Sequence, residues 1–165
     1  MPLITIRNIG GGEAPIIRSI NFLNNSQEQF TPANNSGGTY IASSFDLYYS
    51  AGVPGGGYAN RYFTSVDTYH FSNYKKLLIS GSISNPTPSN NAYPYIEILN
   101  SSGTVVQTLL NGGLGSINIS ADTSSWDFDG YIRIRVYNYC SSEGGSGSGT
   151  GKARFSIAKF ELSTE

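Results

Sequence analysis

Tyr74-Lys-Lys-Leu-Leu-Ile-Ser-Gly-Ser-Ile-Ser84 is the stretch on which the fold turns. Leu77, Ile79, Gly81 and Ile83 fall on one side of an extended chain, while Leu78, Ser80, Ser82 and Ser84 fall on the other. Successive side chains of a strand point to opposite faces. A period of two therefore predicts a strand with one face in a core and the other toward water.

The same pattern recurs on both sides. Downstream, residues 93–99, a turn at Ser101-Ser102-Gly103, and residues 104–110 read as two strands. Asn111-Gly112-Gly113 carries the hairpin signal of residues that tolerate positive φ, and residues 115–120 follow with Ile117 and Ile119 on one face. Residues 131–139 alternate cleanly, Ile132, Ile134 and Val136 inward and Arg133, Arg135 and Tyr137 outward. Glycines and serines fill 141–151, and 155–162 reads as a last strand. Upstream, strands are expected over 41–49 and 60–66, with the Gly-rich loop 52–57 between them. Only 121–128 offers room for a short helix, with Asp122 as its cap. Short strands at ~8–12-residue spacing with turn residues between them indicate a sandwich or barrel. Strands with two distinct faces favour two packed sheets. The expected fold is all-β, an antiparallel β-sandwich of jelly-roll-like order.

Residues 1–38 read differently. Leu3, Ile4, Ile6 and Ile9 belong to a short alternating strand that runs into Gly10-Gly11-Gly12, and a second apolar piece covers 16–23. Asn24-Asn25, Pro32, Asn34-Asn35 and Gly37-Gly38 then mark turns. The expected organisation is an N-terminal arm over 1–38, able to pair with the body or with a neighbouring chain, and a sandwich domain over 39–165.

Composition narrows the function. Charged residues make up 13% of the 165-residue chain, about half the usual ~25%. Aromatics also reach 13%, with twelve tyrosines and one tryptophan, so the chain has the material for a core that disordered sequences lack. A net charge of -1, with ten bases spread thinly, gives no reason to expect nucleic acid, which needs clustered Lys and Arg. Lys75-Lys76 and Arg133-x-Arg135 read as solvated strand faces. No apolar run approaches the ~20 residues of a membrane span, and the start Met1-Pro2-Leu3-Ile4 does not read as a signal peptide, so synthesis in a cytoplasm is expected. Cys140 is the only cysteine, which excludes an intramolecular disulfide.

Chemistry can be tested class by class. His70 is the only histidine, and a base flanked by Tyr69 and Phe71 reads as a packed residue. Cys140 as a nucleophile would want His70 beside it; a structural thiol is the simpler reading. A zinc site needs three or four His or Cys ligands, and the chain holds two such residues. Asp122, Asp127 and Asp129 cluster in Asp122-Thr-Ser-Ser-Trp-Asp-Phe-Asp-Gly130. These carboxylates are candidate ligands for a structural Ca²⁺, though the stretch lacks the spacing and distal Glu of an EF-hand loop; capping and turn formation is the alternative. No other cofactor and no catalytic residue is expected. What survives is a binding surface. Tyrosine set among Gly, Ser and Asn offers flat rings that stack on sugars or on protein, as in antibody paratopes. Tyr58, beside the glycine loop, Tyr93 and Tyr95, after the 86–91 loop, and Trp126 in the acidic stretch are the candidate contact residues.

The 74–84 stretch also resembles a strand of small β-sandwich proteins from phages of Gram-positive bacteria. The order that follows is similar too: a hairpin through Ile96-Glu-Ile-Leu-Asn-Ser-Ser-Gly-Thr-Val106, then Ile117-Asn-Ile-Ser-Ala-Asp122, then Gly130-Tyr-Ile-Arg-Ile-Arg135, and a closing strand near 155–162. The likeness is one of pattern, covers about residues 65–162, and is shared by carbohydrate-binding jelly rolls. It implies a non-enzymatic virion component, tail- or fibre-associated and touching host cell-wall glycan through loop tyrosines. Capsid decoration, with residues 3–9 as the docking strand, is an alternative, and a free carbohydrate-binding module is another. Other virion proteins and further copies of the chain would be its partners.

Overall fold

The structure is a computed structural model that describes residues 17–24, 30–32, 39–41, 46–54, 57–85, 91–140 and 148–165. Among them, strands β1 (Ile20–Asn21), β2 (Phe30–Pro32), β3 (Thr39–Ile41), β4 (Asp46–Pro54), β5 (Gly57–Ser65) and β6 (Tyr69–His70) precede a 3-10 turn at Phe71–Asn73. Then come β7 (Lys76–Ser84), β8 (Asn91–Asn100), β9 (Val105–Asn111), β10 (Gly115–Asp122), β11 (Asp129–Cys140) and β12 (Ser148–Ser163).

The strands form two antiparallel sheets. Sheet A runs β10-β7-β12-β4-β3, with β1 also on β12; sheet B runs β2-β5-β11-β8-β9, with β6 also on β11. The pairings are nested about the tight turn after β8. β8 pairs with β9, β7 with β10, β5 with β11 and β4 with β12. The body is thus one long antiparallel ribbon, closed at the β8–β9 hairpin and rolled so that successive pairs fall alternately in sheets B and A. That is the jelly roll, and the expected sandwich is the observed one.

Alternation sets what faces inward. Leu77, Ile79 and Ile83 of β7 are buried, as are Ile132, Ile134 and Val136 of β11. Ile96 and Ile98 of β8 join them from sheet B, and Phe155, Phe160 and Leu162 of β12 from sheet A. In β12 the alternation breaks: Ile157 and Phe160 are both buried although three residues apart, and the register with β7 shifts between Ile157 and Lys159. A β-bulge admits one extra residue and bends the strand. Gly81 lies opposite, at φ +150°, and a Cβ there would stand 2.1 Å from the Ser156 carbonyl oxygen. Only glycine lets the two backbones approach so closely at the bend.

One end of the sandwich is filled by rings. Phe22 packs on Phe160 at 4.6 Å between centroids, on Tyr69 edge-on at 5.5 Å and on Phe30 at 5.9 Å. Phe71 continues the cluster to Phe128 and Trp126. Phe22 and Phe30 are fully or nearly fully buried, and β1 and β2 pair with β12 and β5. β1, Phe22 and β2, which fall within the arm expected over 1–38, therefore pair and pack with the sandwich. Leu3, Ile4, Ile6 and Ile9 lie outside the described residues.

Three local expectations are corrected. Residues 121–128 hold no helix; Asp122 accepts hydrogen bonds from the Ser124 N–H (2.9 Å) and hydroxyl (2.6 Å), and the Trp126 N–H donates to the Thr123 carbonyl. A short polar side chain satisfied by nearby main chain favours a turn over a helix. The 52–57 loop is shorter than expected, because β4 continues to Pro54 and β5 begins at Gly57. Likewise β12 starts at Ser148, inside the expected 141–151 loop, where Ser148 pairs with Pro54 and Thr150 with Gly52. Ladder hydrogen bonds come from the main chain, so a partner strand can hold a Gly/Ser segment that side-chain pattern reads as loop.

Candidate functional site

Tyr93 and Tyr95 are the sequence-derived candidates that the fold places in company. Both stand in β8, within the strand expected over 93–99, and the alternation that buries Pro94, Ile96 and Ile98 leaves Tyr93, Tyr95 and Glu97 on the outer face of sheet B. On β11, beside them, the same parity turns Arg133, Arg135 and Tyr137 outward. β5 adds Tyr62 on the other flank. The register sets the rows: Arg133 lies between Glu97 and Thr64, Arg135 between Tyr95 and Tyr62, and Tyr137 beside Tyr93. Rows of this kind repeat every ~6.7 Å along the strands, with neighbours ~4.8 Å apart across them.

Glu97 is the organising residue. Its side chain is only 4% exposed, although it belongs to the outer face, because two guanidiniums cover it. Arg133 donates to Oε2 from Nε and Nη2, each at 2.8 Å. Arg135 donates to Oε1 from Nη2 at 2.7 Å and from Nε at 3.1 Å. Burial by itself pushes the Glu97 carboxyl up, but the hydrogen bonds from Arg135 and Arg133, aided by both charges, outweigh it and hold the group below its ordinary 4.5. The carboxylate stays ionised, with its acceptor positions filled from within.

Each guanidinium also rests on a ring. Arg135 sits 3.9 Å from the Tyr95 centroid and Arg133 5.2 Å from that of Tyr62, both within cation–π range. One face of the Tyr95 ring is thereby occupied by the protein's own arginine, which makes Tyr95 a support for Arg135. Tyr93 is freer. It is 38% exposed and pairs with Tyr137 at 6.2 Å, the rings tilted by 42°. The face thus presents a tyrosine pair next to two fixed guanidiniums.

The remaining candidates lie elsewhere. Trp126 is half-buried against Phe71 and Phe128, at the end of β11 opposite to Tyr137, so it shares no surface with Tyr93. Tyr58 holds a register position in β5 opposite Tyr139. The acidic cluster divides in two. Asp122 is engaged by Ser124, whose hydroxyl and N–H hold its carboxyl below the usual range. Asp129 and Asp127 flank His70, at 2.8 Å from Nδ1 and 3.3 Å from Nε2. Among the described residues, no group of three or more His, Cys, Asp or Glu is placed to hold a metal ion. His70 pairs with β11 at Asp129, whereas Cys140 ends that strand opposite Gly57. Eleven positions of extended chain, roughly 35 Å, separate them, so the two form no catalytic pair. An open depression of about 400 Å³ between the ends of β7 and β10 is lined by Lys75, Lys76, Ser120, Asp122 and Ser124; it has no aromatic wall, and its carboxylate is already engaged.

Sequence reading missed Glu97, Tyr62 and Tyr137 as site residues and took Arg133 and Arg135 for a solvated face. A signal was present: Glu97 is a lone charge within Ile96-Glu-Ile-Leu99, and Arg-x-Arg-x-Tyr faces outward on the next strongly alternating strand. What the chain order does not contain is that these two strands are neighbours.

No family model matches the chain, and no curated protein matches it. Among solved structures, similarity is found to a protein of Parabacteroides distasonis described as secreted, at 13% identity and a TM-score of 0.37, over 64% of this chain and 39% of the other. The chain spans about two fifths of that protein's length. A likeness of this size bears on neither fold nor function.

Proposed function

We propose that this protein is a non-catalytic adhesion module that lays a glycan across the outer face of sheet B. On the sequence resemblance, we further propose that it works on a phage virion, with other virion proteins as partners and the bacterial wall as target. The observation that carries the first part is the Tyr93–Tyr137 pair, Tyr93 exposed and Tyr137 half-buried beside it, set on strands next to guanidiniums whose positions are fixed by Glu97. Tyrosine supplies wide contact area at small entropy cost, because it has two side-chain torsions. Held on a sheet, the rings lose little further freedom on binding. Single contacts of this kind are weak, and a homo-oligomer would multiply them through effective concentration.

The test is binding of the purified, fluorescently labelled protein to Gram-positive cells and to extracted wall glycans. Saturable binding is expected, weakened by Tyr93→Ala about fivefold, since an aromatic contact is worth on the order of 1 kcal/mol. Trp126→Phe should leave it unchanged. Absence of binding to any envelope would overturn the adhesion reading and leave capsid decoration, docked through residues 3–9, as the role to pursue.

A further inference from the structure

We propose that the glycan this face takes is anionic, bearing carboxylate or phosphate groups that Arg133 grips while sugar rings lie on Tyr93 and Tyr137. The inference rests on the adhesion reading and names its ligand class. Among the described outward residues of β8 and β11, two guanidiniums share a single carboxylate, on a chain whose total charge is -1. The outward positions of β8 and β11 from Tyr93 to Leu99 and from Tyr131 to Tyr137 hold no other acidic residue. An approaching anion therefore meets no competing carboxylate on these two strands except one that is buried and already bonded.

Chemistry points the same way. Glu97 uses both oxygens on its arginines, so it is a poor acceptor for a sugar hydroxyl. What the centre of the face offers is donors. Arg133 turns its Nε–Nη2 edge to Glu97, and a planar guanidinium bonded along one edge keeps another edge of donors. That fork matches the two oxygens of a carboxylate or phosphate. Its orientation is set before any ligand arrives, by the bonds to Glu97 below it and the Tyr62 ring beside it. Pre-set donors lose less freedom on binding than mobile lysines would. A neutral glycan would use only the tyrosine half of the surface.

The experiment compares the full chain on polygalacturonate, on the same polymer fully methyl-esterified, on a glycerol-phosphate polymer carrying sugars, and on polyglutamate as an anion without sugar. Roughly tenfold tighter binding to polygalacturonate than to its neutral ester is expected, as for one added charge-assisted contact, with the preference shrinking as salt rises. The phosphate polymer separates the two anion types: whichever is bound more tightly identifies the group Arg133 suits. Arg133→Gln should bring acid and ester within about twofold of each other while Tyr93→Ala weakens both alike. Equal binding of acid and ester by the wild type overturns the anionic inference and leaves the adhesion reading intact. Binding to polyglutamate as tight as to polygalacturonate overturns it too, since charge alone would then suffice. Binding to none of the glycans overturns both. The acid–ester comparison uses the unmodified protein, so it stands even if Arg133→Gln fails to fold.

Discussion

Glu97 shows how far one residue can be from its appearance in sequence. Set between Ile96 and Ile98, it reads as an outward polar position, and it is one; yet it is as buried as the core. Neutralising it strips two guanidiniums of their shared counter-ion. Removing one partner of a buried ion pair costs about 3 kcal/mol or more, and Glu97→Gln is expected to lose that amount at neutral pH, measured by urea unfolding. The pH dependence has a definite sign. Because the folded carboxyl lies below its ordinary 4.5, its contribution is complete above that value and is lost as pH falls through the lowered one. The gap between wild type and Glu97→Gln should therefore be full at pH 7 and close in strong acid. A gap independent of pH would mean that Glu97 acts by shape and not by charge. Its chemical type was legible at this scale, but its burial was not, since the groups that bury it lie 36 and 38 residues away.

Elements differ in how much of them the chain order reveals. β7 and β11 were legible from alternation alone, because both faces are written in side chains. β12 was legible only in its second half. Its first four residues, Ser148 to Gly151, carry no apolar pattern and are strand because β4 pairs with them. The bulge in β12 is likewise a property of two elements: it needs Gly81 of β7 opposite. Gly81→Ala should cost on the order of 3 kcal/mol, as a side chain forced into a glycine-only conformation against a backbone oxygen. Denaturant midpoints would check it, and a loss below about 0.5 kcal/mol would show that the strands part at no expense. β1 was read as arm because two residues between turns give no period to recognise. Its burial is decided by Phe160, Tyr69 and Phe30 packing around Phe22.

At the scale of the whole molecule the jelly roll is built almost wholly from partners distant in sequence. Ile20 pairs with Leu162 and Asp46 with Ser156, while the β8–β9 hairpin at the centre of the ribbon is local. Closing long loops costs entropy before the contacts repay it. Refolding from urea is accordingly expected in milliseconds to seconds, followed by stopped-flow Trp126 fluorescence; completion within microseconds would be inconsistent with this topology. The binding face is the same kind of product. Tyr93 and Tyr95 come from β8, Arg133, Arg135 and Tyr137 from β11 and Tyr62 from β5, and rolling the ribbon is what sets these three strands side by side. The amino-acid sequence by itself determined the class of fold, the inward residues of the strong strands and the tyrosine-rich character of the surface, because period and composition are local quantities. Only the tertiary structure decided which strands are neighbours, that Glu97 is covered, and that two arginines and a tyrosine pair share one face, because those facts depend on pairing between segments whose order in the chain does not specify their order in a sheet.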